Sequence, residues 1–85
     1  MNEHTYLFSG IVRIVSIELG VGEDVVRRAG SLRVELSMDS VAAANILFRL
    51  EEEFGVELDV DVVEVIESMS DIEAIVVGAI EKGGL

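Results

Sequence analysis

Leu36-Ser37-Met38-Asp39-Ser40-Val41, running directly into Ala42-Ala43-Ala44-Asn45-Ile46-Leu47-Phe48-Arg49-Leu50-Glu51-Glu52-Glu53-Phe54-Gly55, decides the fold. Asp39 is suited to cap a helix that begins at about Ser40, and Gly55 to end it after Phe54. At about 100° per residue, Ala43, Ile46, Leu47, Leu50 and Phe54 share one side, which is the face toward a core. Ser40 then stands in the first turn. There the unpaired N–H groups and the helix dipole favour an anion. No histidine or other base accompanies the hydroxyl to make it a nucleophile, and the single histidine, His4, lies far off in the chain. The economical reading is a serine that another enzyme modifies with a phosphate-containing group, and not a catalytic residue.

The opposite side of this helix is also apolar. Val41 and Phe48 point away from the core face, with Ala44 and Asn45 flanking them, Glu51 and Glu52 at the lower end, and Arg49 beside the acids. A paired outward stripe admits two readings: a contact surface, or residues covered by a neighbouring loop. On the first, Phe48 and Arg49 select partners and do not hold the fold.

Upstream, Leu7, Phe8, Ile11, Val12, Val15 and Leu19 recur at helical spacing, so a first helix is expected from about Thr5 to Leu19, closed by Gly20. The β-branched run Ile11 to Ile17 also fits a strand, but no partner strand with clean alternation exists. Gly20 to Met38 reads as a long connection anchored by Val25, Val26, Leu32 and Leu36. Downstream, a short helical turn is expected near Val60 to Glu67. A last helix starts at Ser68-Met69-Ser70-Asp71, which resembles a capping box, and runs to about Lys82 before Gly83-Gly84. The expectation is an all-α, small four-helix bundle, three longer helices plus one short, with a long loop between helices one and two. It forms a single domain over residues 1–85, without internal repeat or low-complexity tract.

Half of the chain (51%) is hydrophobic, enough to bury a core without disulfides, and there is no cysteine to make one. No apolar run reaches a membrane span, and Met1-Asn2-Glu3-His4 lacks the basic start of a signal peptide, so a cytoplasmic protein is expected. The formal net charge is −11. Up to Leu36 the acids are nearly matched by Arg13, Arg27, Arg28 and Arg33, whereas from Ser37 onward only Arg49 and Lys82 oppose a run of carboxylates. Such a surface repels phosphates, which excludes direct nucleic-acid binding. It suits brief docking onto basic partners, or simply keeps an apolar domain soluble. Glu51-Glu52-Glu53 reads as a solvated helix face, and Asp59 and Asp61 lack the ligand spacing of a calcium loop, so no metal site is expected.

Leu19-Gly20-Val21, Ser31-Leu32, the stretch Leu36 to Val41, Glu51-Glu52-Glu53-Phe54-Gly55-Val56-Glu57-Leu58 and Ser68-Met69-Ser70-Asp71-Ile72 together resemble the acyl carrier proteins in order and spacing, from about Thr5 to Ile80 without a gap. The resemblance implies 4′-phosphopantetheine on Ser40, within an Asp-Ser motif begun by Asp39. A magnesium-dependent phosphopantetheinyl transferase acting in trans would attach it from coenzyme A. The arm's thiol would carry acyl groups as thioesters, presented to acyl-loading and acyl-processing enzymes of fatty-acid, polyketide or related lipid biosynthesis by a monomer that is itself no enzyme. By the same resemblance, Val41, Ala44, Phe48, Glu51 and Glu52 fall at partner-docking positions, and Asn45 and Arg49 lie in that face. The acyl chain would shelter among Ala43, Leu47, Leu50, Leu58, Val63 and Ile66.

Some positions depart from the family pattern. Val41 stands where Leu is usual and Ser37 where glycine is common; Ala42 and Asn45 replace acids, and Arg49 adds a cation. These departures favour a discrete carrier of a specialised pathway over a housekeeping fatty-acid carrier. The alternatives are an aminoacyl or peptidyl carrier of nonribosomal synthesis, and a helical adaptor whose Ser40 stays unmodified.

Overall fold

Two helices that share the core, Glu3–Leu19 (α1) and Ser40–Phe54 (α4), position everything else. The computed structural model describes residues 3–83, with the side chains of 6–83. The side chain of His4 and the residues Met1, Asn2 and Gly84, on which sequence expectations touched, lie outside that range. Ile11, Val12 and Val15 of α1 are fully buried, with Leu7 and Ile14 beside them, so the β-branched run is helical. The glycine inside α1 has a packing cause. A Cβ on Gly10 would stand 3.0 Å from the ring of Phe54, which lies across it. Gly20 closes α1 in a left-handed conformation (φ +69°), and its N–H and that of Val21 return to the carbonyl of Ser16.

The connection to α4 is not an open loop. It holds two short helices, Glu23–Arg28 (α2) and Leu32–Glu35 (α3). The first carries Glu23 and Asp24 in its opening turn and Arg27 and Arg28 in its last, as the helix dipole favours. The second is capped by Ser31, whose hydroxyl accepts the Val34 N–H, while Glu35 accepts the N–H groups of Gly30 and Ser31. At six and four residues these helices are too short for hydrophobic periodicity to reveal. Val26 and Leu32 plug into the core as expected, Val25 and Leu36 only in part. Met38, not among the expected anchors, is buried as well, and Arg27 lies over the Phe8 ring.

Beyond α4, residues Val60–Val65 form a 3-10 helix capped by Asp59, and Met69–Gly83 form α5. The start of α5 is a reciprocal box: Asp71 accepts the N–H groups of Glu67 and Ser68, and the Ser68 hydroxyl accepts that of Asp71. Those donated bonds, Glu67's first, hold the Asp71 carboxyl below its ordinary pKa. Met69, Ile72 and Val76 pack inward. The molecule is thus an all-helical bundle of three long helices and a short 3-10 segment, with no strand among the described residues.

Candidate cofactor-attachment site

Four consecutive residues set the serine. Ser37 turns the chain in the left-handed region (φ +57°), the only non-glycine among the described residues to do so. Met38 then enters the core, its N–H bonded to the carbonyl of Leu32. Met38 and the buried Ala43 occupy the flanking positions of a hydrophobic staple, which fixes the angle at which the chain enters α4. Asp39 caps the helix: its Oδ1 accepts the Ala42 N–H at 2.8 Å, and its carbonyl accepts that of Ala43. Ser40 is the first residue of α4 and is exposed. No described residue accepts from the N–H groups of Ser40 or Val41, which stay at the open helix end. A phosphodiester on Ser40 Oγ would sit in solvent with these donors and the dipole's positive end beside it, so the residues present fit a phosphate-linked group.

The segment before the serine is strapped to the 3-10 region. Arg33 donates from Nε to the Ile66 carbonyl at 2.8 Å and from its guanidinium to the Val63 carbonyl. The Leu32 N–H bonds to the Glu67 carbonyl at 2.8 Å, and the Ser31 hydroxyl to the Glu67 carboxylate. Nothing in the local sequence signals this strap, because the partners of Arg33 lie 30 and 33 residues away.

On the outer face of α4, Val41 is 70% and Phe48 58% exposed, so the long connection does not cover them. Glu52 is exposed and Ala44 half-buried between turns. The other polar positions have internal partners. Asn45 Nδ2 and Arg49 Nε both donate to the carboxylate of Glu18 on α1, at 3.2 and 2.9 Å. That carboxylate side chain is only 16% exposed. Glu51 accepts the N–H of Leu58 at 2.8 Å and so ties down the chain after α4. Arg49, still half-exposed, thus also joins α4 to α1, a contact the sequence reading did not include. Ala43, Leu47, Leu50, Leu58, Val63 and Ile66 are all buried and belong to one core, and four surface clefts among the described residues are lined by other side chains. Among the described residues no cluster of ligating side chains could hold a metal ion, and no helix is long and apolar enough to cross a membrane.

The profile of the family described as "Phosphopantetheine attachment site" matches residues 9–76, from the middle of α1 to the middle of α5. The chain belongs to the acyl carrier protein family. It is similar to the acyl carrier protein of Thermotoga maritima, with 35% identity over 78% of this chain and 82% of that one. It is also 35% identical to acyl carrier protein 1, chloroplastic, of Spinacia oleracea over 81% of this chain, and there it spans half of the relative's length. As an acyl carrier protein the chain has 4′-phosphopantetheine as its covalent prosthetic group, and it is a carrier and not an enzyme.

Proposed function

We propose that Ser40 is the attachment point and that the carrier presents acyl groups to enzymes of a specialised lipid or polyketide pathway. The observation that carries this reading is an exposed hydroxyl at the first position of α4, beside unpaired N–H groups and a bare apolar stripe. A phosphopantetheinyl transferase would bring coenzyme A to it. Ser40 Oγ forms the new phosphodiester, its proton passes to solvent or to a base of the transferase, and adenosine 3′,5′-bisphosphate leaves. Once bound, the group supplies a terminal thiol that holds acyl chains as thioesters, chemistry that a chain without cysteine cannot offer itself.

The protein's own residues do the rest. Asp39, held by the Ala42 N–H, keeps the serine at the helix end. Val41, Ala44, Phe48 and Glu52 form the docking face, while Asn45, Arg49 and Glu51 hold that face to α1 and to Leu58. An acyl chain would enter the core among Ala43, Leu47, Leu50, Leu58, Val63 and Ile66 as α4 and the 3-10 segment part. Support for a specialised pathway comes from Asn45 and Arg49, which turn a docking surface expected to be acidic into a neutral clasp. A cytoplasmic monomer fits this role.

Intact mass tests the reading. Incubation of the full chain with coenzyme A, magnesium and a transferase should add one phosphopantetheine to wild type and none to Ser40→Ala. Addition to the variant, or none to wild type, contradicts it. An aminoacyl carrier would pass this test and would be told apart by the synthetase or ligase that loads the holo form. An unmodified adaptor would fail it.

A further inference from the structure

We infer that Arg33 is a latch on the core: it pins the 3-10 segment shut and so sets the length of acyl chain that the carrier can shelter. The inference rests on attachment of the arm at Ser40 and on entry of the acyl chain between α4 and the 3-10 segment. Two of the residues that would line that entry, Val63 and Ile66, are the ones whose backbone Arg33 holds. Its Nε donates to the Ile66 carbonyl at 2.8 Å, and its terminal nitrogen to the Val63 carbonyl. Both acceptors stand at the C-terminal end of the 3-10 helix, where carbonyls run out of backbone donors and the helix dipole favours a cation. The side chains of Val63 and Ile66 are buried, while Arg33 is half-buried.

A latch needs a fixed end, and α3 supplies it. Leu32, next to Arg33, is fully buried and donates its N–H to the Glu67 carbonyl at 2.8 Å. Its own carbonyl accepts the N–H of Met38, which is buried two residues before Ser40. The segment leading to the serine and the wall of the 3-10 segment are therefore one hydrogen-bonded unit. At the near end of that wall, the Glu51 carboxylate holds the Leu58 N–H and ties the chain to α4. Parting α4 from the 3-10 segment either leaves two carbonyls unpaired or drags α3 out of the core. A guanidinium shared between two carbonyls makes charge-assisted bonds, harder to break than neutral ones. An entering chain offsets that loss by burying methylenes, each of which contributes a similar increment. Several more carbons are then needed than without the latch.

The test loads the full chain with acetyl- or hexanoyl-phosphopantetheine from the matching acyl-coenzyme A and follows thioester cleavage by hydroxylamine through intact mass. Each rate is divided by that of the same acyl-coenzyme A in solution, which removes the intrinsic reactivity of the acyl group. In wild type the hexanoyl and acetyl ratios should agree within about twofold, whereas in Arg33→Met the hexanoyl ratio should fall roughly fivefold below the acetyl ratio. Equal ratios in Arg33→Met, or a hexanoyl group already as protected in wild type, overturn the inference. A merely structural arginine would expose both acyl groups alike. Amide hydrogen exchange on the unmodified chain gives a reading independent of Ser40. The Leu32 and Val62 amides should exchange about tenfold faster in Arg33→Met while those of Ile46 and Leu47 match wild type; a uniform change, or none, overturns the latch. If Arg33→Met loses its helical circular dichroism, Arg33→Lys takes its place under the same outcomes, since a point charge does not fork to both carbonyls. If wild type accepts no acyl arm although the exchange result holds, the attachment reading falls, and the inference about acyl length with it.

Discussion

Ser37 holds a backbone conformation (φ +57°) in which its side chain crowds the following carbonyl, at a cost of roughly 1–2 kcal/mol for an L-residue. Glycine would relieve that strain and give back part of the gain as unfolded-chain entropy. Ser37→Gly should therefore stabilise the fold by about 0.5–1 kcal/mol, read as a rise in melting temperature of a few degrees. An unchanged or lower value would mean that the serine has a compensating role. The same residue shows what a local reading can reach. A serine where glycine is common was visible in the sequence; the left-handed turn that makes it matter was not. Met38 was overlooked in the same way, because an isolated apolar residue before a cap carries no periodicity, although its place beside Asp39 could have signalled a staple.

At the scale of elements, α4 was readable to its ends because cap, period and terminal glycine agree, with Asp39, the Ala43–Leu50 core face and Gly55 in the left-handed region. What joins the elements was not readable. Glu18 lies 27 and 31 residues from the Asn45 and Arg49 that clasp it. Arg49→Glu should set two carboxylates together across the α1–α4 contact and cost about 1 kcal/mol, more than Arg49→Gln, with Glu18→Gln relieving part of the loss. Equal stability of the two Arg49 variants would reduce the clasp to a surface coincidence. Helix α5 offers a pH-dependent test. Because the folded pKa of Asp71 lies below its unfolded value, its contribution is present above the ordinary 3.8 and is lost as pH falls through the folded value. Asp71→Ala should cost on the order of 1 kcal/mol near neutrality, and the gap to wild type should narrow below pH 3.8. A gap constant with pH would contradict the charged cap.

For the molecule as a whole, a net charge of −11 sits on a small bundle, with the acids concentrated after Ser37. Ion pairs at Arg13–Glu53, Arg28–Asp24 and Arg49–Glu18 relieve only part of the repulsion. Moderate salt should raise the melting temperature by screening it; a flat or falling response would count against self-repulsion as a destabilising term. The overall class was accessible early, since helix period and order of motifs specify an all-α carrier without any long-range contact. The strap from Arg33 to Val63 and Ile66 and the bonds from Asn45 and Arg49 of α4 to Glu18 emerge only when distant segments meet. All of the account turns on one hydroxyl. Trypsin cuts after Arg33 and Arg49, so peptide 34–49 of the modified protein contains Ser37 and Ser40 together. Its fragment-ion series should place the added phosphopantetheine on Ser40. Its appearance on Ser37, or on any other peptide, would contradict the account.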